Sequence, residues 1–281
     1  MRTANIIITC PDGPGIIRSV TDFLFVHGGN ISFLEEHNED HQFFMRVQWE
    51  LENFNLSSEK EFLDSFDPIL KKFDMEISLD FDNNKKRLGL FCSREGHCLL
   101  DILSRQLLGE LEVEIPYVAS NSPDMKELVE KLGFTFYHIP TEKGSDEHEK
   151  GFLEIIRKHP TDVIGLARYM KILSHDFIEK ADQKIINVHH SFLPSFVGAK
   201  PYNEAHERGV KLIGATSHYV IPELDQGPII EQQVKRVKHS HDIDHLKLIG
   251  RECEKEVFAF AIRKHIENKL VVYKNRTIVF E

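Results

Sequence analysis

Apolar positions in the first third of the chain switch repeatedly between two periods. A short β-branched run, Ile6 to Thr9, leads into "CPDGPG", whose prolines and glycines punctuate a strand-to-helix loop. Ile16, Val20, Phe23 and Leu24 then share one helical face, and "HGGN" (His27 to Asn30) stops that helix with glycine available for a left-handed cap. A strand follows near Ile31 to Glu36. Phe43, Met45, Val47, Trp49 and Leu51 alternate with Phe44, Arg46, Gln48 and Glu50, the period of a strand buried on one face. Phe62, Phe66, Ile69, Leu70 and Phe73 return to helical spacing behind a Ser57/Ser58 cap region, and Met75, Ile77, Leu79 and Phe81 alternate again. The order βαββαβ predicts a ferredoxin-like unit, a four-stranded antiparallel sheet with two helices on one face.

Polar "DNNKKR" (Asp82 to Arg87) is the candidate linker, because it buries nothing between two complete patterns. Beyond it, strands are predicted near Leu88 to Cys92, Leu111 to Val118, Thr135 to Ile139, Val163 to Leu166 and Ile185 to Val188. They alternate with helices near Leu99 to Leu108, Met125 to Leu132, Phe152 to Arg157 and Ile172 to Lys180. That alternation predicts an α/β, Rossmann-like domain with a mostly parallel sheet covered on both sides. "KLIGATSHYVI" and "PIIEQQVKRV" read as two further strands. A long helix follows, carrying Leu246, Ile249, Cys253, Val257 and Phe260, with Asp242 and Asp244 at its start and Arg263 and Lys264 near its end, as the helix dipole favours. The domains expected are therefore 1–83 and 84–281.

The length of 281 residues fits two domains, and 41% hydrophobic with 28% charged residues fits a globular chain. A formal charge of -10 argues against a general nucleic-acid or membrane-surface binder. Cys10, Cys92, Cys98 and Cys253 form no CxxC pair, so reduced thiols in a cytoplasmic protein are expected. Cys92, His97 and Cys98 lack a fourth ligand at a recognised zinc spacing, so no metal is expected. No apolar run approaches a membrane span.

The chemistry concentrates where an open α/β sheet binds ligands, beyond the carboxyl ends of its strands. "NVHHSFLPS" (Asn187 to Ser195) sits just past the run "KII", and "ELDQGPII" (Glu223 to Ile230) places Asp225 before a Gly-Pro turn between two predicted strands. A carboxylate orients an imidazole and stabilises its protonated form, and an amide donates to a developing oxyanion. Asn, His and Asp together suffice for acyl chemistry without a nucleophilic residue. Read singly, the first segment is equally a polar cap with surface histidines, and Asp225 a turn residue. Adjacent strand residues face opposite ways, so only one of His189 and His190 is expected at a reaction centre.

"NVHHSFLPSFVGAKPY" and "ELDQGPII" resemble the two signature segments of the formyltetrahydrofolate-using transferases and hydrolases, and "LARYMKIL" (Leu166 to Leu173) resembles their folate-pocket segment. The resemblance implies Asn187, His189 and Asp225 as catalytic residues and Met170, Ile172, Leu173 and Leu224 as folate-binding residues. Arg94, Lys171 and Lys200 are candidates for holding the glutamyl tail. The family's glycinamide ribonucleotide transferases carry a glycine-rich phosphate loop after the first strand; here "CSREGHCLL" has only Gly96, which puts phosphate binding in doubt. The N-terminal unit resembles an ACT domain, which implies a possible amino-acid effector held by Asp12, Gly13, Gly15 and Asn30, or a purely oligomerising role in a homo-oligomer. ACT plus formyltransferase domain is the combination of the formyltetrahydrofolate deformylases. It implies hydrolysis of 10-formyltetrahydrofolate, with no tightly bound cofactor, releasing formate for purine synthesis and balancing one-carbon pools. The alternatives are formyl transfer to an amine acceptor and a non-catalytic folate or amino-acid sensor.

Overall fold

The computed structural model describes residues 2–81, 85–141, 147–194 and 201–281. The chain forms two compact units, one of Met1–Asn84, Glu267–Val271 and Ile278–Glu281, the other of Lys85–Ile266 and Val272–Thr277. The sequence reading had assigned all of 84–281 to the second. Half of the candidate linker, Asp82 to Asn84, lies outside the described residues, and its end already belongs to a strand.

The first unit follows the expected order: β1 (Thr3–Pro11), α1 (Ile16–Val26), β2 (Asn30–Glu39), β3 (Gln42–Glu50), α2 (Glu59–Phe73) and β4 (Glu76–Asp80). Its sheet has the order β2-β3-β1-β4 with every pair antiparallel. The Ser58 hydroxyl accepts from the Glu61 amide at 3.3 Å, and Glu61 reaches back to the Ser57 amide at 2.8 Å, so the start of α2 is capped from both sides. Trp49 stacks on Phe62 at 5.4 Å, and Phe23 meets Phe62 edge-on at 5.3 Å, which joins both helices to one sheet face.

One expectation fails here. β3 is buried on both faces, Phe44 and Arg46 included. The cause is the end of the chain: Arg46 donates from Nε to the Asn268 carbonyl at 2.9 Å and from Nη2 to the Glu267 carbonyl at 3.2 Å. A buried guanidinium thus finds acceptors in a segment that periodicity around β3 does not reveal.

The second unit contains β5 (Lys86–Cys92), α3 (His97–Leu107), β6 (Val113–Ser120), α4 (Lys126–Lys131), β7 (Phe136–His138), α5 (Glu147–Lys158), β8 (Val163–Ala167), α6 (His175–Ala181) and β9 (Lys184–His189). After these come α7 (Pro201–Arg208), β10 (Leu212–Tyr219), β11 (Ile229–Arg236) and α8 (Ile243–Ile266). The sheet order is β11-β10-β9-β8-β5-β6-β7. β7 through β9 pair in parallel, while β10 and β11 run antiparallel. From β5 the chain moves to β6 and β7 on one side, then returns to β8 on the other, which makes the β5/β8 boundary the topological switch point. A short hairpin, β12 (Leu270–Tyr273) and β13 (Arg276–Val279), was not expected, nor was α7. No helix among the described residues is long and apolar enough to cross a membrane.

The helix expected from Ile172 begins at His175, because the Ser174 hydroxyl caps it by accepting from the Phe177 amide at 3.1 Å. Met170, Ile172 and Leu173 therefore lie on the loop leaving β8.

Candidate active site

Asn187 and His189 are two residues apart on β9 and share a face. β10 pairs with β9 so that His218 stands opposite Asn187 and Thr216 opposite His189. His218 Nδ1 lies 2.9 Å from the Tyr219 carbonyl, which only accepts, so Nδ1 carries the proton. In the neutral ring Nε2 is then an acceptor, and Asn187 Nδ2 lies 3.2 Å from it. This fixes the Asn187 amide with its nitrogen toward His218 and Asp225.

Asp225 sits in the turn before β11 with φ 55°, a left-handed conformation that aspartate tolerates. Its Oδ2 is 3.3 Å from His189 Nδ1 and its Oδ1 is 3.6 Å from His218 Nε2. Burial alone would raise this carboxyl, but the hydrogen bond from His189 Nδ1 outweighs it and holds Asp225 well below the usual carboxylate range. It is an anion at neutral pH. His189 Nε2 is buried and has no hydrogen-bond partner, which leaves that nitrogen for a ligand.

His190 overturns the expectation that only one of the pair reaches the site. β9 ends at His189, so strand alternation no longer applies to the next residue, and both rings line the cavity with centroids 5.1 Å apart. Burial, reinforced by Arg168 and His189, pushes the His190 imidazole down to about 4. The ring is neutral at pH 7 and does not compete with its neighbour as a cation.

The cavity that holds Asn187, His189 and Asp225 is otherwise mostly apolar. Met170, Ile172, Leu173 and Leu224 all line it, as do Tyr169 and Val220 to Pro222. Met170, Ile172 and Leu224 are 52%, 71% and 55% exposed, a concentration of apolar surface at one cavity mouth. Leu173 belongs instead to the buried core between Phe91, Phe152 and Phe177. Lys171 lines the same cavity, Arg94 is exposed and lies 4.0 Å from Asp124, and Lys200 falls outside the described residues.

Behind the cavity a second polar cluster centres on Glu254 of α8, which is 1% exposed. His97 Nε2 lies 2.7 Å from its carboxylate, the Tyr202 hydroxyl donates at 2.6 Å, and Arg168 Nε lies 3.3 Å away. Among the described residues, His97, Cys98 and Glu254 are close enough to share an ion, but Arg168 already neutralises that carboxylate and would repel a dication. The Cys92 thiol is buried and pushed up to about 11, away from the thiolate that ligates zinc.

The four effector candidates do not form one site. Asp12, Gly13 and Gly15 lie on the loop between β1 and α1, where Asp12 accepts from Asn38 at 3.2 Å. Asn30 opens β2 and donates to Glu50 at 3.0 Å. Pairing of β1 with β3 puts Pro11 beside Gln42 and Thr3 beside Glu50. Asn30 is therefore at the opposite end of the sheet, about 27 Å away at about 3.4 Å per residue step.

Sequence reasoning missed His218, Arg168 and Glu254. A histidine in "SHY" carries no signal until strand register sets it against Asn187, and Glu254 is one of several carboxylates on a helix with a charged surface.

Residues 86–262 match the formyl transferase family model. The chain is 42% identical to a formyltetrahydrofolate deformylase of Synechocystis over 281 residues, 99% of this chain and 98% of that one. It is 43% identical to one of Bacillus subtilis, with 98% and 93% covered. This chain belongs to the formyltetrahydrofolate deformylase family. A crystal structure of a formyltetrahydrofolate deformylase from Pseudomonas syringae superposes with a TM-score of 0.96 at 42% identity, covering 100% of this chain and 95% of that one. By contrast, a glycinamide ribonucleotide transformylase from Symbiobacterium toebii reaches a TM-score of 0.67 at 26% identity and covers 73% of this chain and 98% of its own. The likeness to deformylases thus spans both units, ferredoxin-like sheet included.

Proposed function

We propose that this deformylase-family protein hydrolyses 10-formyltetrahydrofolate to formate and tetrahydrofolate at Asn187, His189 and Asp225. The full-length similarity to deformylases carries the reading, and the site geometry supports the assignment of roles.

Water held near His189 Nε2 gives that nitrogen a proton as its oxygen adds to the formyl carbon. Charge develops on the formyl oxygen, where Asn187 donates; one such donor is worth roughly 10² to 10³ in rate. Asp225, anionic beside Nδ1, stabilises the imidazolium. The same Nε2 proton then passes to N10 of the folate, the carbon–nitrogen bond breaks, and formic acid leaves and ionises. Positioned acid/base groups contribute about 10² to 10⁴ each. The exposed Met170, Ile172 and Leu224 offer apolar cover for a flat pterin, and Lys171 a charge for the glutamyl end.

The released formate feeds purine synthesis in the cytoplasm, and the ferredoxin-like unit acts as an ACT domain in a homo-oligomer. An amino-acid effector, if bound, takes the Asp12 to Gly15 loop without Asn30. Turnover in heavy-oxygen water tests the central reading. Labelled formate in equal amount to tetrahydrofolate is expected, whereas tetrahydrofolate that appears only with an added amine, without formate, would overturn it. Calorimetry with amino acids checks the effector: binding heat lost on Asp12→Ala is expected, and no heat sinks it.

A further inference from the structure

We infer that His190 is a further catalytic residue, whose imidazole accepts one hydrogen of the attacking water while His189 Nε2 accepts the other. The inference rests on the deformylase reading, in which water is the nucleophile and His189 Nε2 takes its proton. One acceptor fixes how far the water lies from the ring but leaves it free to turn about that hydrogen bond. Two acceptors direct both O–H bonds and leave a lone pair for the formyl carbon, the alignment that a near-attack geometry requires. The O–H aimed at His189 breaks as the new oxygen–carbon bond forms, and its proton goes to Nε2. The O–H aimed at His190 stays intact and becomes the hydroxyl of formic acid, so His190 neither gains nor loses a proton.

His190 is 7% exposed and lines the reaction cavity, with its ring centroid 5.1 Å from that of His189. At this separation one water, about 2.9 Å from each acceptor, can bridge the two rings. No hydrogen bond from a described residue reaches either ring nitrogen of His190. Tyr202, whose ring centroid is 6.3 Å away, donates its hydroxyl to Glu254 instead. A buried polar side chain that the protein leaves without a partner takes one from water or a ligand. Burial above all, reinforced by Arg168 and His189, keeps the ring neutral at pH 7, and a neutral imidazole retains one nitrogen as an acceptor.

A buried network holds the ring in place. Thr216 of β10, 0% exposed, donates to the Ser191 carbonyl at 2.9 Å and accepts from the Leu193 amide at 3.1 Å. Gln232 of β11 donates to the Leu193 carbonyl and to Thr216 Oγ1, both at 3.0 Å. Thr216 also stands opposite His189 in the pairing of β9 with β10. One threonine therefore fixes the backbone on both sides of His190, and the two imidazoles are presented to the cavity as a rigid pair.

The test is steady-state formate release from 10-formyltetrahydrofolate, paired with calorimetric binding of tetrahydrofolate, for full-length wild type, His190→Phe and His190→Gln. Phenylalanine fills the space of the ring without an acceptor, and the glutamine carbonyl restores one. His190→Phe is expected to lose about a hundredfold in kcat, with KM and tetrahydrofolate affinity within about threefold of wild type. His190→Gln is expected to release formate at least about tenfold faster than His190→Phe. Equal kcat in wild type and His190→Phe overturns the inference. So does a loss that glutamine does not relieve, or one matched by weaker tetrahydrofolate binding, since His190 then only shapes the pocket. Wild type that binds tetrahydrofolate but releases no formate overturns the deformylase reading and this inference with it, an outcome distinct from the others.

Discussion

Asp225 Oδ2 lies 3.3 Å from Nδ1 of His189, and the opposite ring nitrogen, Nε2, is buried without a partner. One carboxylate therefore sets the tautomer of the imidazole whose free nitrogen faces the cavity. The other oxygen of Asp225 stands 3.6 Å from His218, which in turn fixes the Asn187 amide. The three motif residues are organised by a fourth that neither motif contains.

His218→Phe keeps a ring in place but removes the acceptor for Asn187. Misplacing the oxyanion donor is expected to lower kcat for formate release about a hundredfold. KM is expected to change by less than about threefold, because the apolar cavity wall is untouched. A purely structural role would lower the amount of folded enzyme without this split.

Gly227 explains the glycine of "DQGPII". A Cβ there would strike the Tyr219 carbonyl, in the same turn that sets Asp225. Gly227→Ala is expected to shift that turn, with activity lost by about a hundredfold. The thermal midpoint falls too, by about 2 to 4 °C for each kcal/mol lost. Formate release and a melting curve on one preparation check both effects.

Stability should fall as pH drops from about 6.5 to about 4. The folded state holds His190 neutral down to about 4, whereas the unfolded chain takes up that proton near 6.5, so the unfolded state binds more protons across this window. The contribution is fully present above the upper limit and amounts to about 3 kcal/mol. Urea unfolding at several pH values checks it: His190→Gln is expected to reduce the slope between those limits, leaving the part that His265, pushed down to about 4 by burial, contributes. Asp225 has the opposite kind of group but the same sign, its contribution being present above about 4 and lost at still lower pH.

Much of this architecture was legible because periodicity reports burial. The alternation at Phe43 to Leu51 and the helical face of Ile16, Val20, Phe23 and Leu24 each placed an element, and β-then-α alternation after Leu88 placed the parallel sheet. What remained hidden depends on contacts distant in sequence. Arg46 looked solvent-facing until Glu267 and Asn268 covered it. Ile172 looked helical until the Ser174 cap moved the start of α6. Asn187, His189 and Asp225 were recognisable as motif residues, but His218 needed strand register, and the separation of Asn30 from Asp12 needed the pairing of β1 with β3.

Glu254→Gln should destabilise the second unit strongly. The amide keeps the shape but leaves Arg168 buried without its close counter-ion, and breaking a buried pair costs about 3 to 5 kcal/mol. Denaturant titration is the check. Adding Arg168→Met is expected to restore much of the loss, since the second change removes the unpaired charge.

The most direct test of the catalytic assignment is the rate of formate release from 10-formyltetrahydrofolate by wild type and by Asp225→Asn. The amide keeps the size of the side chain but cannot stabilise the His189 imidazolium. Release by wild type and a loss of about 10² to 10⁴ in the variant is the predicted result. Equal rates in the two proteins, or no release by wild type, would contradict the assignment.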